Sequence, residues 1–247
     1  CGDTGYRFYY PISVAGDESF YRDLGEKADS TGLDYDRDWA DDHNIAERQL
    51  RPSDSLLEIG CNTGKFLESI NSHVSEVRGL EFNEIAAEKA RSKGLEVANE
   101  SIEEYCGAHT EEFDVICAFQ VLEHVTNVGS FLNSALRALR PNGKLIFSVP
   151  NNEPYFQRFN KYEVMNLPPH HVGLWNLKAF QKLGDVFEMD LVDHGYSGLT
   201  SFRGDIYLRA RSLAKIKSPP SHHTRFEKAL IFAAAPFVTV GRALDYF

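Results

Sequence analysis

The stretch Ser55-Leu-Leu-Glu-Ile-Gly-Cys-Asn-Thr-Gly64 decides the fold of this chain. Its first half is apolar enough for a buried strand, and a helix is predicted directly after it, over Lys65–His73. Glycines between a strand and a helix allow a sharp turn, and they let a ligand approach the backbone at the start of the helix. The stretch therefore predicts a ligand-binding turn at the end of a strand.

Short apolar runs alternate with amphipathic segments from this turn onward. Further strands and the helices between them are predicted at Glu76–Phe82, Glu84–Lys93, Leu95–Asn99, Phe113–Phe119, Gly129–Arg140 and Lys144–Val149. This alternation indicates βαβ units and a parallel sheet. Right-handed crossovers place helices on both faces, and ligands bind beyond the carboxyl ends of the strands. We therefore predict an α/β fold with a doubly wound, Rossmann-like, mostly parallel sheet.

Net charge, cysteines and hydropathy narrow the functional classes. The 247 residues carry a net charge of −10, which disfavours a nucleic-acid partner and favours small-molecule chemistry. The four cysteines form no Cys-x-x-Cys pair, so a reducing cytoplasm is expected. The longest apolar run, Ala229–Val240, is shorter than the roughly 20 residues of a spanning helix, so no membrane span is expected. We expect this run to form a packed helix that can join two copies in a homodimer.

Two known glycine-loop chemistries do not match the turn. A dinucleotide-binding fingerprint requires Gly-x-Gly-x-x-Gly, but counting from Gly60 places Asn62 and Lys65 at its second and third glycines. A P-loop requires four residues between its glycine and the Gly-Lys pair, whereas three stand here, and Phe66 takes the place of Ser or Thr. The failure of the first pattern disfavours a nicotinamide oxidoreductase.

The segment Glu58-Ile-Gly-Cys-Asn-Thr-Gly64 resembles the acidic-x-Gly-x-Gly-x-Gly signature of class I S-adenosylmethionine-dependent methyltransferases. Only the middle glycine differs, and Asn62 stands in its place. Asn is the non-glycine residue that best accepts positive φ, so the turn can keep its geometry. The resemblance covers about Ser55–Val149 and is closest to a small-molecule branch that includes quinone-pathway and sugar methyltransferases. It implies S-adenosylmethionine as the cofactor, and we expect seven strands in the sheet.

A second acidic residue supports a nucleoside site. Glu81 ends the second predicted strand, 23 residues after Glu58, and a carboxylate there can accept hydrogen bonds from both ribose hydroxyls. By resemblance, further cofactor contacts fall in the turn and at the ends of the other strands. They are Cys61 in the turn, Phe82 beside the adenine, Ser101 and Ile102 at the adenine edge, and Phe119 and Gln120 near the methionine portion.

Two histidines are the predicted catalytic residues. Methylation of a hydroxyl needs a base that removes a proton, and histidine titrates near neutral pH. His124 follows the fourth predicted strand, and His171 lies beside His170 in a Pro-His-His stretch that borders the acceptor pocket in the branch that this chain resembles. Adjacent histidines rarely ligate one ion together, and no carboxylate set shows clear spacing, so no metal is expected.

Three segments are predicted along the chain. Residues 1–50 form a helical segment that can cover the cofactor as a lid, and the acidic run between Asp34 and Asp42 within it is interpreted as a solvated helix face. Residues 51–215 form the S-adenosylmethionine-binding domain, with an acceptor-side insertion at about 151–176. Residues 216–247 form a C-terminal helical extension.

The sequence thus predicts a methyltransferase for a small-molecule acceptor, with O-methylation of a hydroxyl favoured. N- or C-methylation stays open, because motifs that bind the cofactor do not encode the acceptor. A catalytically silent cofactor-binding protein also stays open, because a fold does not determine one function.

Overall fold

The computed structural model describes residues 3–16, 20, 23, 40–150, 152, 166–195 and 237–241. Within these residues the strands are β1 (Arg7–Phe8), β2 (Ser55–Ile59), β3 (Glu76–Leu80), β4 (Glu96–Ala98), β5 (Phe113–Phe119), β6 (Leu139–Pro150), β7 (Gly173–Leu174) and β8 (Phe237–Gly241). The helices are α1 (Ala40–Glu47), α2 (Lys65–Ile70), α3 (Glu84–Ser92), α4 (Ile102–Tyr105), α5 (Val128–Ala138) and α6 (Leu177–Phe187). A short 3-10 turn spans Ile12–Val14.

The main sheet has the strand order β4-β3-β2-β5-β6-β8. The first five of these strands are parallel, and β8 runs antiparallel along β6. The chain moves outward from β2 through β3 to β4 and then returns to place β5 on the other side of β2. The strand order therefore reverses between β2 and β5, where open α/β sheets bind their ligands at the carboxyl ends of the strands.

Helices cover both faces of this sheet, as predicted. The neighbouring residues Leu56 and Leu57 are both fully buried, and they belong to two different hydrophobic clusters because successive strand side chains point to opposite faces. Phe66 of α2 lies in the cluster of Leu56, while Phe131 of α5 and Phe180 of α6 lie in that of Leu57. This double burial explains why the strands are apolar throughout rather than alternating.

The second sheet is small and joins the N-terminal segment to residues 173–174, which lie in the predicted insertion. In it, β1 pairs antiparallel with β7, so that Arg7 lies opposite Leu174 and Phe8 opposite Gly173. The Arg7 guanidinium also donates a hydrogen bond to the backbone carbonyl of Asn152, at 2.7 Å. The insertion is therefore tied to the N-terminal segment as well as to the main sheet.

Two details differ from the sequence-based expectation. The described part of the main sheet has six strands, so the expected number of seven stays a prediction. Helix α5 ends at Ala138 instead of the predicted Arg140, and β6 begins at Leu139 with a register shift against β5. In the predicted C-terminal helical extension, Phe237–Gly241 forms β8, and the other residues of 216–247 lie outside the described ones.

The strand β8 has a physical reason. Its sequence, Phe-Val-Thr-Val-Gly, is rich in β-branched and aromatic residues, which favour extended backbone. The outer edge of β6 offers unpaired backbone groups that such a segment can bind. Among the described residues, no helix is long and apolar enough to cross a membrane.

Candidate active site

The turn after β2 has the left-handed backbone that the glycine signature requires. Gly60 and Gly64 have φ values of 75° and 73°, and Asn62 has a φ of 48°. The expectation that Asn62 can take the place of a glycine is therefore confirmed for the backbone. A Cβ atom on Gly60 would lie 2.6 Å from Cγ2 of Val121, so the turn passes too close to the segment after β5 for any side chain.

Glu81 lies directly against this turn. One carboxylate oxygen accepts a hydrogen bond from the backbone N–H of Asn62 at 2.8 Å, and the other accepts one from the N–H of Asn83 at 2.7 Å. The side-chain amide of Asn99 donates to the carbonyls of Glu81 and Phe82, at 2.6 and 2.8 Å, and so joins the ends of β3 and β4. The two features that the sequence assigns to one nucleoside ligand are thus in contact at one edge of the sheet.

The other residues predicted in and beside the turn have different surroundings. Glu58 is buried at the end of β2. The Cys61 side chain is buried against Gly79, and desolvation together with the charges of Glu58 and Glu81 raises the pKa of its thiol. This thiol stays protonated, so Cys61 offers a ligand its backbone rather than its sulfur. Phe82, by contrast, is 58% exposed beside Glu81, with an open ring face.

Ser101 and Ile102 have structural contacts of their own. Ser101 is the N-cap of α4, and its hydroxyl and backbone form a reciprocal capping box with Glu104. Ile102 is buried in the hydrophobic cluster of Leu57. Their predicted contact with adenine stays a prediction, because these contacts occupy the side chains of both residues.

Phe119 and Gln120 contact the N-terminal segment at the carboxyl end of β5. The side-chain amide of Gln120 donates to the hydroxyl of Ser148 at 3.0 Å and to the carboxylate of Asp42 at 3.3 Å. The Phe119 ring packs edge-on against that of His43, with 5.0 Å between the ring centroids. Because Asp42 is only 2% exposed, its interpretation as part of a solvated helix face is wrong.

The predicted histidines converge above the end of β5. One ring nitrogen from each of His124, His170 and His171 lies within 4.8 Å of the other two, and we call these three residues the histidine cluster. Nδ1 of His124 donates to the backbone carbonyl of His170 at 2.6 Å. Nδ1 of His171 bonds to the side-chain oxygen of Asn166 at 3.0 Å. Sequence reasoning noted these histidines one by one, but not their approach to each other.

Glu123 is the residue that sequence reasoning missed. Its side chain is 1% exposed, and neither carboxylate oxygen has a hydrogen-bond partner among the residues that the structure describes. Its Oε1 lies 4.0 Å from Nε2 of His124 and 3.9 Å from Nε2 of His171. The only signal in the sequence was an acidic residue inside the apolar run Val121–Val125.

Burial shifts the pKa values of Glu123, His124 and His171. Desolvation raises the pKa of Glu123 to about 8, and the negative charge of Asp42 adds to that effect. Desolvation also lowers the pKa of His124 to about 4 and that of His171 to about 2. At neutral pH the two imidazoles are therefore neutral, and each carries a nitrogen lone pair.

Backbone hydrogen bonds hold the insertion against the segment after β5. The N–H groups of Val172 and Gly173 both donate to the carbonyl of Glu123, at 2.9 Å each. The indole N–H of Trp175 donates to the carbonyl of Leu122 at 3.3 Å. These bonds bring together residues that are distant in sequence and leave the histidine cluster at the same sheet edge as the turn after β2.

Comparison with known proteins agrees with this arrangement. A family model described as a methyltransferase domain matches residues 33–193. A ubiquinone biosynthesis O-methyltransferase from Hahella chejuensis is 33% identical over 116 residues, which cover 44% of this chain and 49% of that protein. The chain thus spans about half the length of this curated relative.

Two solved structures share the fold at low sequence identity. A putative methyltransferase of Haloferax volcanii, solved in complex with the Trm112 methyltransferase activator, has a TM-score of 0.67 at 12% identity and covers 92% of this chain and 97% of its own. A SAM-dependent methyltransferase from Archaeoglobus fulgidus has a TM-score of 0.59 at 14% identity and covers 85% and 100%. The turn and Glu81 are in contact where the strand order of the sheet reverses, and the family model matches more than half of the chain. This protein therefore belongs to the methyltransferase-domain family, in its class I, S-adenosylmethionine-dependent branch.

Proposed function

We propose that this chain methylates a hydroxyl group of a small molecule, with S-adenosylmethionine as the methyl donor. The observation that carries the proposal is the contact between Glu81 and the turn at Asn62, with the histidine cluster at the same sheet edge. The relative from Hahella chejuensis, whose name is ubiquinone biosynthesis O-methyltransferase, supports the choice of a hydroxyl over a nitrogen or carbon acceptor. The net charge of −10 supports a small molecule over a nucleic acid.

The turn and Glu81 fit an adenosyl ligand. Gly60 and Gly64 have left-handed backbone, which glycine adopts without strain, and the turn lies at the sheet edge where α/β folds bind ligands. Two backbone N–H groups orient the Glu81 carboxylate, which we propose accepts hydrogen bonds from the ribose hydroxyls. Phe82, exposed beside it, offers an apolar surface to the adenine ring.

For methyl transfer from S-adenosylmethionine, the protein has to align the two reactants more than to activate them. The cofactor supplies a methyl group on a positively charged sulfur, and the S–CH3 bond breaks with its electron pair returning to sulfur as the hydroxyl oxygen forms the new O–CH3 bond. The protein therefore has to hold the hydroxyl in line with that bond and guide its proton away. We place the acceptor hydroxyl beside His124 and His171, which we propose as the catalytic residues in contact with it.

The proposal also places this reaction in the cytoplasm. Cys61, Cys106 and Cys117 are buried free thiols in the described part of the chain. A reducing compartment keeps such thiols free.

The test has two arms on the full chain. Isothermal calorimetry with S-adenosylhomocysteine should show one binding site per chain, and transfer of a radiolabelled methyl group should label one or more members of a panel of phenols, catechols and sugars. His124→Ala should lower the rate about 100-fold or more, as is typical for loss of a group that assists proton transfer. His194→Ala is the matched control, because His194 is exposed and lies outside the histidine cluster.

Each result has a distinct meaning. Absence of S-adenosylhomocysteine binding would overturn the proposal as a whole. Binding without labelling of any acceptor would favour a silent cofactor-binding protein, and labelling of amines alone would replace O-methylation by N-methylation.

A further inference from the structure

Hydrogen bonds fix the position of one proton on two of the three histidines. A carbonyl oxygen can only accept a hydrogen bond, so Nδ1 of His124 carries a proton. The side-chain N–H of Asn166 donates to Oδ1 of Asn152 at 2.6 Å, so it is the oxygen of Asn166 that faces His171. Nδ1 of His171 therefore also carries a proton.

The three histidines lie close to the separation of metal ligands. One ring nitrogen from each lies within 4.8 Å of the other two. Ligand atoms of a tetrahedral zinc site lie about 2.0–2.2 Å from the ion, and so about 3.3–3.6 Å from one another. The three nitrogens would reach that spacing if each pair approached by at most about 1.5 Å. Oε1 of Glu123 lies beside them, 4.0 Å from Nε2 of His124 and 3.9 Å from Nε2 of His171.

We propose that the histidine cluster, together with Glu123, binds one divalent transition-metal ion of the zinc type. The three imidazoles of His124, His170 and His171 are the ligands, and the buried side chain of Glu123 lies beside them. This replaces our expectation that the chain binds no metal. That expectation treated His170 and His171 as neighbours in sequence and did not include His124, which belongs to another segment.

The ligand chemistry selects the class of metal. Imidazole nitrogens suit zinc and its neighbours in the first transition row, whereas magnesium and calcium prefer sites built mostly from oxygen. Three histidines leave a fourth position open, as in catalytic zinc sites.

The residues around the site resemble the outer ligand shell of known metal centres. Metal-bound histidines usually donate their second N–H to a carbonyl or carboxylate, which orients the ring. Here the carbonyl of His170 orients His124, and the side-chain oxygen of Asn166 orients His171. Asn152, which orients Asn166, is 3% exposed, so the chain of hydrogen bonds is protected from solvent.

The role of the ion rests on the proposed function, but the site itself does not. A hydroxyl oxygen bound at the open position would lose its proton to water more readily, because a Zn²⁺ ion lowers the pKa of a bound O–H group. A bound ion would therefore perform the deprotonation that the proposed function otherwise assigns to His124 and His171.

The test measures metal binding apart from catalysis. The full chain, without a histidine tag and dialysed against a chelator, is titrated with ZnCl2 by calorimetry and with CoCl2 by visible absorption. We expect one ion per chain, a cobalt spectrum of low coordination number, and an affinity for MgCl2 at least 100-fold weaker than for ZnCl2. Asn166→Ala, which leaves every ligand in place, should weaken zinc binding by about 10- to 100-fold, and His171→Ala by more.

Controls keep the outcomes distinct. His194→Ala should bind zinc as the wild-type chain does, because His194 is exposed and remote from the cluster. Circular dichroism and S-adenosylhomocysteine calorimetry on each variant check that it is folded; if His171→Ala does not fold, Asn166→Ala decides the result. Absence of stoichiometric zinc or cobalt uptake, or uptake that the Asn166→Ala variant leaves unchanged, would overturn the site. If S-adenosylhomocysteine still binds in that case, the proposed function stands without it.

Discussion

Asn62 takes the left-handed conformation at the place where the family signature has a glycine. An L-residue other than glycine adopts such a conformation at a cost of about 1–2 kcal/mol, and Asn is among the residues that tolerate it best. The backbone N–H of Asn62 then points at Glu81, so the strained residue also orients the carboxylate proposed to bind ribose. Asn62, although it is not glycine, has thus kept the contact between the turn and Glu81.

Glu81→Gln tests that contact. The amide keeps the shape of the side chain but loses its charge, and hydrogen bonds to charged groups contribute about 1.5–3 kcal/mol. We therefore expect the affinity for S-adenosylhomocysteine to fall by about 10- to 150-fold in calorimetry, with the far-ultraviolet circular dichroism unchanged. Glu88→Gln is the control, since Glu88 is an exposed acidic residue of α3 that pairs with Arg91. Equal affinities of the Glu81 variant and wild type would remove Glu81 from the site.

At the scale of secondary-structure elements, β3 depends on a charge that is mostly buried. The Arg78 side chain is 16% exposed and pairs with Glu76 at 2.6 Å and with Glu112 at 3.0 Å. Its guanidinium also lies over the ring of Phe113, 5.6 Å from the centroid. Arg78 thereby ties β3 to the start of β5, on the side of the sheet opposite to the ligand edge.

Arg78→Met should lower the free energy of unfolding by about 1.5–3 kcal/mol, because it removes charge-assisted hydrogen bonds from partly buried carboxylates. Urea denaturation followed by circular dichroism measures this change. Lys182→Ala is the comparison: its pair with Asp185 is exposed and screened by water, so we expect a much smaller loss. A loss of equal size in both variants would show that Arg78 contributes no more than a surface pair, while S-adenosylhomocysteine binding should be unchanged in both.

At the scale of the whole molecule, the ligand edge joins segments from most of the described chain. The turn after β2, the end of β3 and the segment after β5 meet there, with α1 and residues 166–175 packed against them. A ligand that bridges these segments should stabilise the molecule as a unit.

Thermal unfolding tests this coupling and separates the two classes of nucleoside cofactor. S-adenosylhomocysteine at 100 times its dissociation constant should add about 2.7 kcal/mol and raise the midpoint by about 5–11 °C. NAD at the same concentration should leave the midpoint unchanged, because the turn lacks the glycines of a dinucleotide fingerprint. A larger shift with NAD than with S-adenosylhomocysteine would contradict the assignment of the cofactor.

The sequence by itself determined the parts of this protein that depend on neighbouring residues. The apolar run at Ser55–Ile59, the glycines after it and the βα alternation are local patterns, and each predicted the structure correctly. The contact between Glu81 and the turn was also predictable, because adjacent parallel strands bring their carboxyl ends to one edge. The bounds of α5 and the existence of β8 were not, because each depends on pairing with a strand that is distant in sequence.

Only the tertiary structure decided the chemistry of the acceptor side. His124 and His170 are 46 positions apart, and Asp42 and Gln120 are 78 apart, so no local pattern could show that they meet. The burial of Glu123 results from the packing of residues 166–175 over the segment after β5, and that burial raises the pKa of its carboxyl group. The order of residues along the chain determines the conformation of one turn or strand. Long-range packing determines which distant side chains are buried together.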